Sequence, residues 1–214
     1  YFKNKPLGSF GDFACFSFHE TKNLHSGLGG MLVVNNKKFI QKSFLVYDKG
    51  TDRYLVQKGL QKYYSWVEIG SSFLMSEFAA SYLLPQIKNY KKVFSLRAKL
   101  YNRYVKNFNK WLQDQFYLTN FSKYKYNYHA FVIVLNKSNR EKFLKYLKKK
   151  KVNAVISYTP LHKSKEGKKF MNKKNQLKNS DKYIGKIIRL PLHNYLSVKN
   201  VDYVSKVVKN YFVK

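Results

Sequence analysis

The 214-residue sequence holds one cysteine, Cys15. That excludes a disulfide framework and any zinc site built from several thiolates. Four prolines and ten glycines are too few for a collagen-like or low-complexity chain. No apolar run approaches the roughly 20 residues of a membrane helix, and no basic, apolar, small-residue leader opens the chain. The expectation is a soluble, cytoplasmic protein with no membrane partner and no metal. Acidic residues are scarce, 11 against 42 basic, and the formal net charge is +31. Arginine is scarce too: only five of the basic residues are Arg (Arg53, Arg97, Arg103, Arg140, Arg189).

What is present is apolar and aromatic, 44% and 18% of the chain, enough for a buried core. The charge has two readings. A dense positive field attracts nucleic acid or another anionic surface. Bidentate readers of phosphate and bases lean on Arg, however, and this chain uses Lys. Lys, Asn, Tyr and Phe all have AT-rich codons, so compositional drift is the preferred reading and nucleic acid is not the expected partner.

Residues 1–36 read as short strands between Gly-rich turns. Phe13–Phe18 has the length and aromatic content of a buried strand, with Cys15 inside it. Met31–Val34 reads as a second strand after Gly29-Gly30. A short helix is expected over 37–47 and a long loop over 48–66. Ser71-Ser72 opens a helical stretch marked by Phe73, Leu74, Phe78 and Tyr82. Ile87, Tyr90, Phe94, Tyr101, Tyr104, Phe108 and Trp111 continue an apolar stripe with Lys opposite. Pro85 should kink or break it. Beyond residue 115 the pattern predicts strand 130–135, a helix capped by Ser138 and running to Lys150, strand 152–158, a mobile Lys/Asn-rich loop over 163–180, strand 187–192 and helix 198–212. The Lys148–Lys151 run reads as the solvated end of a helix.

Lys22 is the residue with chemical potential. It comes after a strand and precedes Gly27, Gly29 and Gly30. A lysine desolvated in such a turn has its pKa lowered and offers a neutral amine to aldehydes. Ser17, five residues upstream, could donate its hydroxyl to an anion. The bland reading is one solvated lysine among many. His162 either faces a pocket or satisfies backbone at a strand end. His129 and His193 flank strands and read as structural, and His25 has no evident partner.

The run Phe16-Ser17-Phe18-His19-Glu20-Thr21-Lys22-Asn23, with Gly29-Gly30 after it, resembles the lysine motif of the DegT/DnrJ/EryC1/StrS sugar aminotransferases. Lys49–Arg53, Tyr64–Glu77, Tyr158-Thr159-Pro160-Leu161-His162 and Arg189-Leu190-Pro191-Leu192 resemble the family in the same order. The resemblance runs the length of the chain. It implies the α/β, fold type I, aspartate-aminotransferase-like architecture, with part of the large cofactor-binding domain over 1–112 and a small α+β domain over 113–214. It implies pyridoxal 5'-phosphate as cofactor, glutamate as amino donor and a homodimer that shares its active sites. Lys22 would carry the cofactor and, once released, move the proton. Ser17 would contact the cofactor phosphate. Ser65 would reach the phosphate from the neighbouring subunit. Arg53 would lie in the loop covering the neighbouring site, where an Arg suits a diphosphate or carboxylate. His19 would pack near the ring, and His162 would face the sugar. Within the family the His-Glu-Thr-Lys-Asn form and the Ile-Gly-Ser-Ser stretch most resemble the branch acting on C4 of a dTDP-4-keto-6-deoxyhexose in surface-polysaccharide assembly.

The family's first phosphate turn, ring-stacking aromatic and ring-pairing acid match nothing here. The expectation is therefore the C-terminal part of a longer enzyme, with residues 1–214 alone binding cofactor poorly. Leu28 stands where the family has an acid before Gly-Gly. With Pro85, that departure keeps a non-catalytic remnant as the alternative beside a basic nucleic-acid-binding protein.

Overall fold

The chain divides into two compact units, residues 1–90 and 91–214. The computed structural model describes residues 1–108, 116–118, 127–136, 139–156, 158–171 and 177–213.

In the first unit, β1 (Phe13–Ser17) pairs antiparallel with β2 (Gly30–Val34), Phe13 opposite Val34 and Ser17 opposite Gly30. The strands fall where the sequence places them, but they are not buried. Phe13, Phe16, Met31 and Leu32 are exposed, and so is Cys15. A two-stranded ribbon has too little neighbouring structure to bury its own faces. A 3-10 turn over Lys37–Phe39, capped by the Asn36 side chain, leads into α1 (Ile40–Tyr47). The expected loop over 48–66 contains a short helix, α2 (Arg53–Gln57).

The next helix, α3 (Glu77–Lys88), begins later than Ser71-Ser72 suggests. Ser71 and Phe73 spend their backbone N–H groups on the carbonyls of Val46 and Tyr47, each at 3.1 Å. Ser76 caps α3, its hydroxyl accepting from the Ala79 N–H. Pro85 does not break the helix where it stands. The helix stops three residues later, at Lys88, where Asn89 donates both its backbone N–H (3.1 Å) and its side-chain amide (2.8 Å) to the Pro85 carbonyl.

The second unit starts with α4 (Tyr90–Phe108). Its stripe Leu100, Tyr101, Tyr104 and Phe108 is buried in the core of this unit. The structural boundary therefore lies at 90/91 instead of 112/113, because α4 packs into one core with Phe131, Ile188 and Val208 of the C-terminal strands and helix. Trp111 lies outside the described residues. β3 (Phe116–Leu118), β4 (Phe131–Leu135), β5 (Val155–Ile156) and β6 (Ile187–Leu190) form an antiparallel sheet in the order β3-β4-β6-β5. The other helices are α5 (Arg140–Lys149), α6 (Lys178–Lys182) and α7 (Val198–Phe212).

Asn139 caps α5, accepting from the Lys142 N–H at 3.0 Å. Ser138, the expected cap, lies outside the described residues. The strand expected over 152–158 shortens to Val155–Ile156. The expected loop of 163–180 holds ordered pieces instead: 3-10 turns over Leu161–Lys163 and Gly167–Phe170, and the start of α6. Residues 172–176 lie outside the described residues. Helix 198–212 is as the sequence predicts, with a Ser197/Asn200 capping box.

The core is aromatic at its centre. The Phe131 ring lies 4.5 Å from Tyr104 and 5.0 Å from Tyr101, and Phe143 lies 4.7 Å from Tyr211. The Tyr104 hydroxyl donates to the Pro191 carbonyl at 2.9 Å, and burial pushes its pKa up. Arg97 is buried on α4. Its guanidinium donates to the carbonyls of Tyr128 (2.9 Å), His129 (2.6 Å) and Leu192 (2.9 Å), and desolvation pushes its pKa down.

Candidate active site

The Lys22 segment is a closed turn. β1 ends at Ser17, and three backbone bonds then tie the segment to itself: Phe18 N–H to Gly29 O, Glu20 N–H to Gly27 O and Ser26 N–H to Phe18 O, each 2.8 Å. Inside, the Lys22 N–H donates to His19 O at 2.9 Å. His19 Nδ1 lies 3.2 Å from the Thr21 hydroxyl, and the Ser17 hydroxyl accepts from the His19 N–H at 3.4 Å. Ser17, His19, Thr21 and Lys22 thus belong to one short chain of contacts. Gly29 has φ +156°, and a Cβ there would lie 2.5 Å from Ser26 Oγ and 2.8 Å from Met75 Cε. Glycine is favoured at that position by its positive φ and by these two close side chains.

The Lys22 side chain is exposed in this chain. Within residues 1–214 the expected burial of this turn is not seen, since the β1–β2 ribbon is covered only in part, at Ala14, Val33 and Val34. Among the described residues its amine has no ion pair and no hydrogen-bonded acceptor. A primary amine of this kind can condense with an aldehyde, and an exposed hydroxyl can donate to a phosphate.

Arg53 and Ser65 form a second cluster, through Asp52. The Asp52 carboxylate accepts the Ser65 N–H at 2.7 Å, and the Asp52 N–H donates to Ser65 O at 3.2 Å. Hydrogen bonds from the Gln61 side chain first, and from Ser65 N–H second, hold the Asp52 carboxyl below the usual range. The Arg53 guanidinium lies 4.8 Å over the Tyr64 ring and 3.9 Å from the Asp48 carboxylate. Gly50 makes this possible. It is buried at φ +75°, its carbonyl takes the N–H groups of Val67 and Glu68 (2.9 and 3.0 Å), and any Cβ would strike the Glu68 carbonyl.

His162 is in the second unit and is engaged otherwise than expected. Its Nε2 lies 2.7 Å from Asp181 Oδ1, and Lys163 Nζ lies 3.2 Å from the same oxygen. The hydrogen bond from His162 is the main reason the Asp181 carboxyl sits below its usual range. The Tyr158-Thr159-Pro160 part of that motif lines an open cavity of about 210 Å³, together with Arg140, Ser180 and Tyr183.

The structure therefore links Ser17 and Lys22 through His19, places Arg53 beside the Asp52–Ser65 pair, and ties His162 to Asp181. Sequence reading missed Asp52, Gly50 and Gln86. Gly50 was legible in principle, as a glycine inside Lys-Gly-Thr-Asp. Gln86 was not, because its partner lies 61 positions away. His25 does have partners: its backbone is held by Gln86 and its ring lies 5.4 Å from Tyr82. Among the described residues, no helix is long and apolar enough to cross a membrane.

Comparison with known proteins bears on the family and the fold. The DegT/DnrJ/EryC1/StrS aminotransferase family matches residues 1–209. A protein of Methanocaldococcus jannaschii, MJ1066, is 28% identical over 97% of this chain and 56% of its own length. The UDP-4-amino-4,6-dideoxy-N-acetyl-beta-L-altrosamine transaminase of Campylobacter jejuni is 26% identical over 95% of this chain and 53% of its own. The solved aminotransferase PseC of Helicobacter pylori superposes with a TM-score of 0.85 at 22% identity, covering all of this chain and 56% of that one. The chain spans about half the length of the curated relatives it matches. It belongs to the DegT/DnrJ/EryC1/StrS aminotransferase family and has the α/β fold type I architecture of the sugar aminotransferases.

Proposed function

We propose that the protein carrying this chain is a pyridoxal-phosphate-dependent sugar-nucleotide aminotransferase, moving an amino group from glutamate to C4 of a nucleotide-linked 4-keto-6-deoxyhexose. One observation carries the reading: a free, exposed Lys22 amine on the same short turn as the Ser17 hydroxyl, in a chain of this family. The Campylobacter relative's name carries a UDP-sugar. A UDP sugar therefore stands beside the dTDP sugar that the Ile-Gly-Ser-Ser stretch suggests, either one feeding surface-polysaccharide assembly.

Pyridoxal phosphate, when bound, supplies a carbonyl that exchanges amines and a conjugated ring that accepts the electron pair of a deprotonated carbon. This chain's residues do the rest. Lys22 would hold the carbonyl end through Nζ; once the donor's amine has displaced it, the freed Nζ would take the proton from the donor's Cα as a base and deliver it as an acid to the carbon that bore the carbonyl. Ser17 donates its hydroxyl to the phosphate, while the His19 N–H occupies one lone pair of the same oxygen and orients it. Arg53, stacked on Tyr64, offers guanidinium N–H groups to a diphosphate or carboxylate. Ser65 offers its hydroxyl to a phosphate of the neighbouring site in a homodimer. The exposure of Trp66 (71%) and Ile69 (89%) beside it supports that partner surface. His162, held by Asp181, presents its other ring nitrogen to the sugar.

The test uses the natural protein, purified from its own cells and weighed intact. Pyridoxal phosphate is added and the product reduced with borohydride. The expected adduct is on Lys22, and Lys22→Ala abolishes both trapping and amine transfer from glutamate. Trapping on a different lysine overturns the assignment. Turnover across dTDP, UDP and GDP 4-keto sugars then fixes the nucleotide. Tight, steeply salt-dependent DNA binding without trapping would select the nucleic-acid alternative.

A further inference from the structure

We infer that Gln86 is a positioning residue for Lys22, acting through the backbone of His25. The inference rests on the role proposed for Lys22. Gln86 stands on α3, 61 positions from the loop it holds. Its Oε1 accepts the His25 backbone N–H at 3.1 Å, and its Nε2 donates to the His25 carbonyl at 2.8 Å. One side-chain amide thus satisfies both backbone groups of one residue, as a neighbouring strand would. Nε2 also donates to the Tyr82 carbonyl at 2.9 Å, within its own helix. That third bond fixes the orientation, because a flipped amide would set its oxygen against two carbonyls.

The geometry of the turn explains why such a clamp matters. The three backbone rungs of the Lys22 segment close its stem, from Phe18 to Gly29. None of them reaches His25. The His25 ring supplies no polar anchor either, since its Nδ1 is buried without a hydrogen-bond partner while the ring rests against Tyr82. Lys22 lies three residues before His25, on the stretch between the stem and the clamp. Its side chain is exposed and unpaired, so the backbone that carries it sets only where the side chain is rooted, and with it the region the amine can reach. Gln86 fixes the far end of that backbone. Releasing it loosens the backbone at His25 and shifts the region that the Lys22 amine can reach, so that Nζ meets a bound carbonyl less often.

The test compares the natural protein with Gln86→Leu and Gln86→Glu. Leu keeps the bulk and loses all three bonds. Glu keeps an acceptor for the His25 N–H but turns a carboxylate toward two carbonyls. Two readouts need no cofactor: hydrogen exchange at the His25 amide, and acetylation of Lys22 relative to Lys49 in the same digest. Exchange should quicken at least about tenfold in the Leu variant, the scale expected when a part-buried hydrogen bond is lost. Lys22 acetylation relative to Lys49 should change by about threefold or more in the same variant, with the Glu variant between Leu and wild type. Borohydride trapping of pyridoxal phosphate on Lys22 should slow about tenfold at unchanged cofactor concentration.

Faster exchange with wild-type acetylation and wild-type trapping overturns the inference, for Gln86 would then be merely structural. Unchanged exchange overturns it as well. If wild type is never trapped on Lys22 yet the acetylation ratio shifts in the variants, the proposed function fails and the positioning of Lys22 by Gln86 stands. If the Leu variant does not fold, the same readouts on the Glu variant decide.

Discussion

The two units bury their side chains to different degrees, and the candidate chemistry sits mainly in the one that buries less. In the second unit, Tyr104, Phe131, Phe143, Leu147, Ile188 and Val208 are fully buried in one apolar cluster. In the first unit the buried residues include Leu83, Asn23, Gly50 and Thr51, whereas Phe73, Phe78, Trp66 and Ile69 face outward. The second unit is held by area removed from water. The first is held by backbone and side-chain hydrogen bonds that fix turns: the rungs behind Lys22, the Gly50 carbonyl, the Asp52–Ser65 pair and the Gln86 clamp. A core tolerates only what fits its volume, while a bonded turn holds a few atoms in place and leaves its side chains free to meet something else. Four of the five candidate site residues stand on such turns or beside them.

The contrast breaks if core truncation proves cheap. Phe143→Ala should cost about 3–5 kcal/mol, from lost burial and the cavity left among Tyr211, Phe212 and the sheet. Phe78→Ala, at a side chain 89% exposed, should fall within about 0.5 kcal/mol. Thermal unfolding of residues 1–214, the chain in which that exposure is seen, measures both, and similar losses would remove the distinction between the units. Arg97→Leu comes next. It keeps an apolar stem but strips donors from three carbonyls of the strand-flanking loops, for a loss of about 3 kcal/mol. Denaturant unfolding checks it. A loss below that of Phe78→Ala would mean that water replaces the guanidinium without penalty.

The same contrast explains what could be read from the sequence. The 3.6-residue stripe Leu100, Tyr101, Tyr104, Phe108 and the α7 pattern Val201, Val204, Val208 predict buried helix faces, and the helices are there. Strands β1, β2, β4 and β6 appear where apolar runs meet turn residues. Burial of β1 did not come with them, because periodicity reports which face is apolar and not whether anything covers it. The start of α3 was misplaced because Ser71 and Ser76 are equally good caps by composition. The choice is made by Ser71 and Phe73 bonding to Val46 and Tyr47, which are distant in sequence. Lys22 and Ser17 stand out by their place beside the Gly-rich turn, but one lysine in a Lys-rich chain gains its weight, and Arg53 and Ser65 their roles, only from the family resemblance. Asp52 and Gln86, which hold those residues, are visible only once the chain has folded back on itself.

Gly50→Ala sharpens the comparison inside the first unit. A Cβ at φ +75° is strained, and here it also meets the Glu68 carbonyl. The substitution should cost about 1–3 kcal/mol, concentrated in residues 48–72. Hydrogen exchange at the Val67 and Glu68 amides, which both bond to the Gly50 carbonyl, reads it directly. Those amides should speed up while Ile133 and Ile188, paired in the second unit's sheet, keep their protection. Faster exchange in both units would show that they unfold together and do not differ in kind.

The smallest effect concerns the second unit's exposed edge, where the burial argument predicts little. Arg103 on α4 meets the Asp202 carboxylate of α7 with two bonds, 2.6 and 2.8 Å, and Asn107 adds a third at 2.8 Å. The Arg103 hydrogen bond first, and the Asn107 bond second, hold the Asp202 carboxyl below its usual range. A carboxyl whose folded pKa is depressed stabilises the fold above its unfolded value, near 3.9, and that contribution is lost as pH falls through the folded value. Asp202→Asn keeps the shape and removes the charge. Its unfolding midpoint should lie slightly below wild type at neutral pH, and the gap should close as pH drops below about 4. Both partners are more than a third exposed, so water and salt screen the pair, and added salt should narrow the neutral-pH gap as well. A gap that persists unchanged at pH 3 would show that Asp202 acts through packing between α4 and α7, which would place even this exposed edge with the buried core.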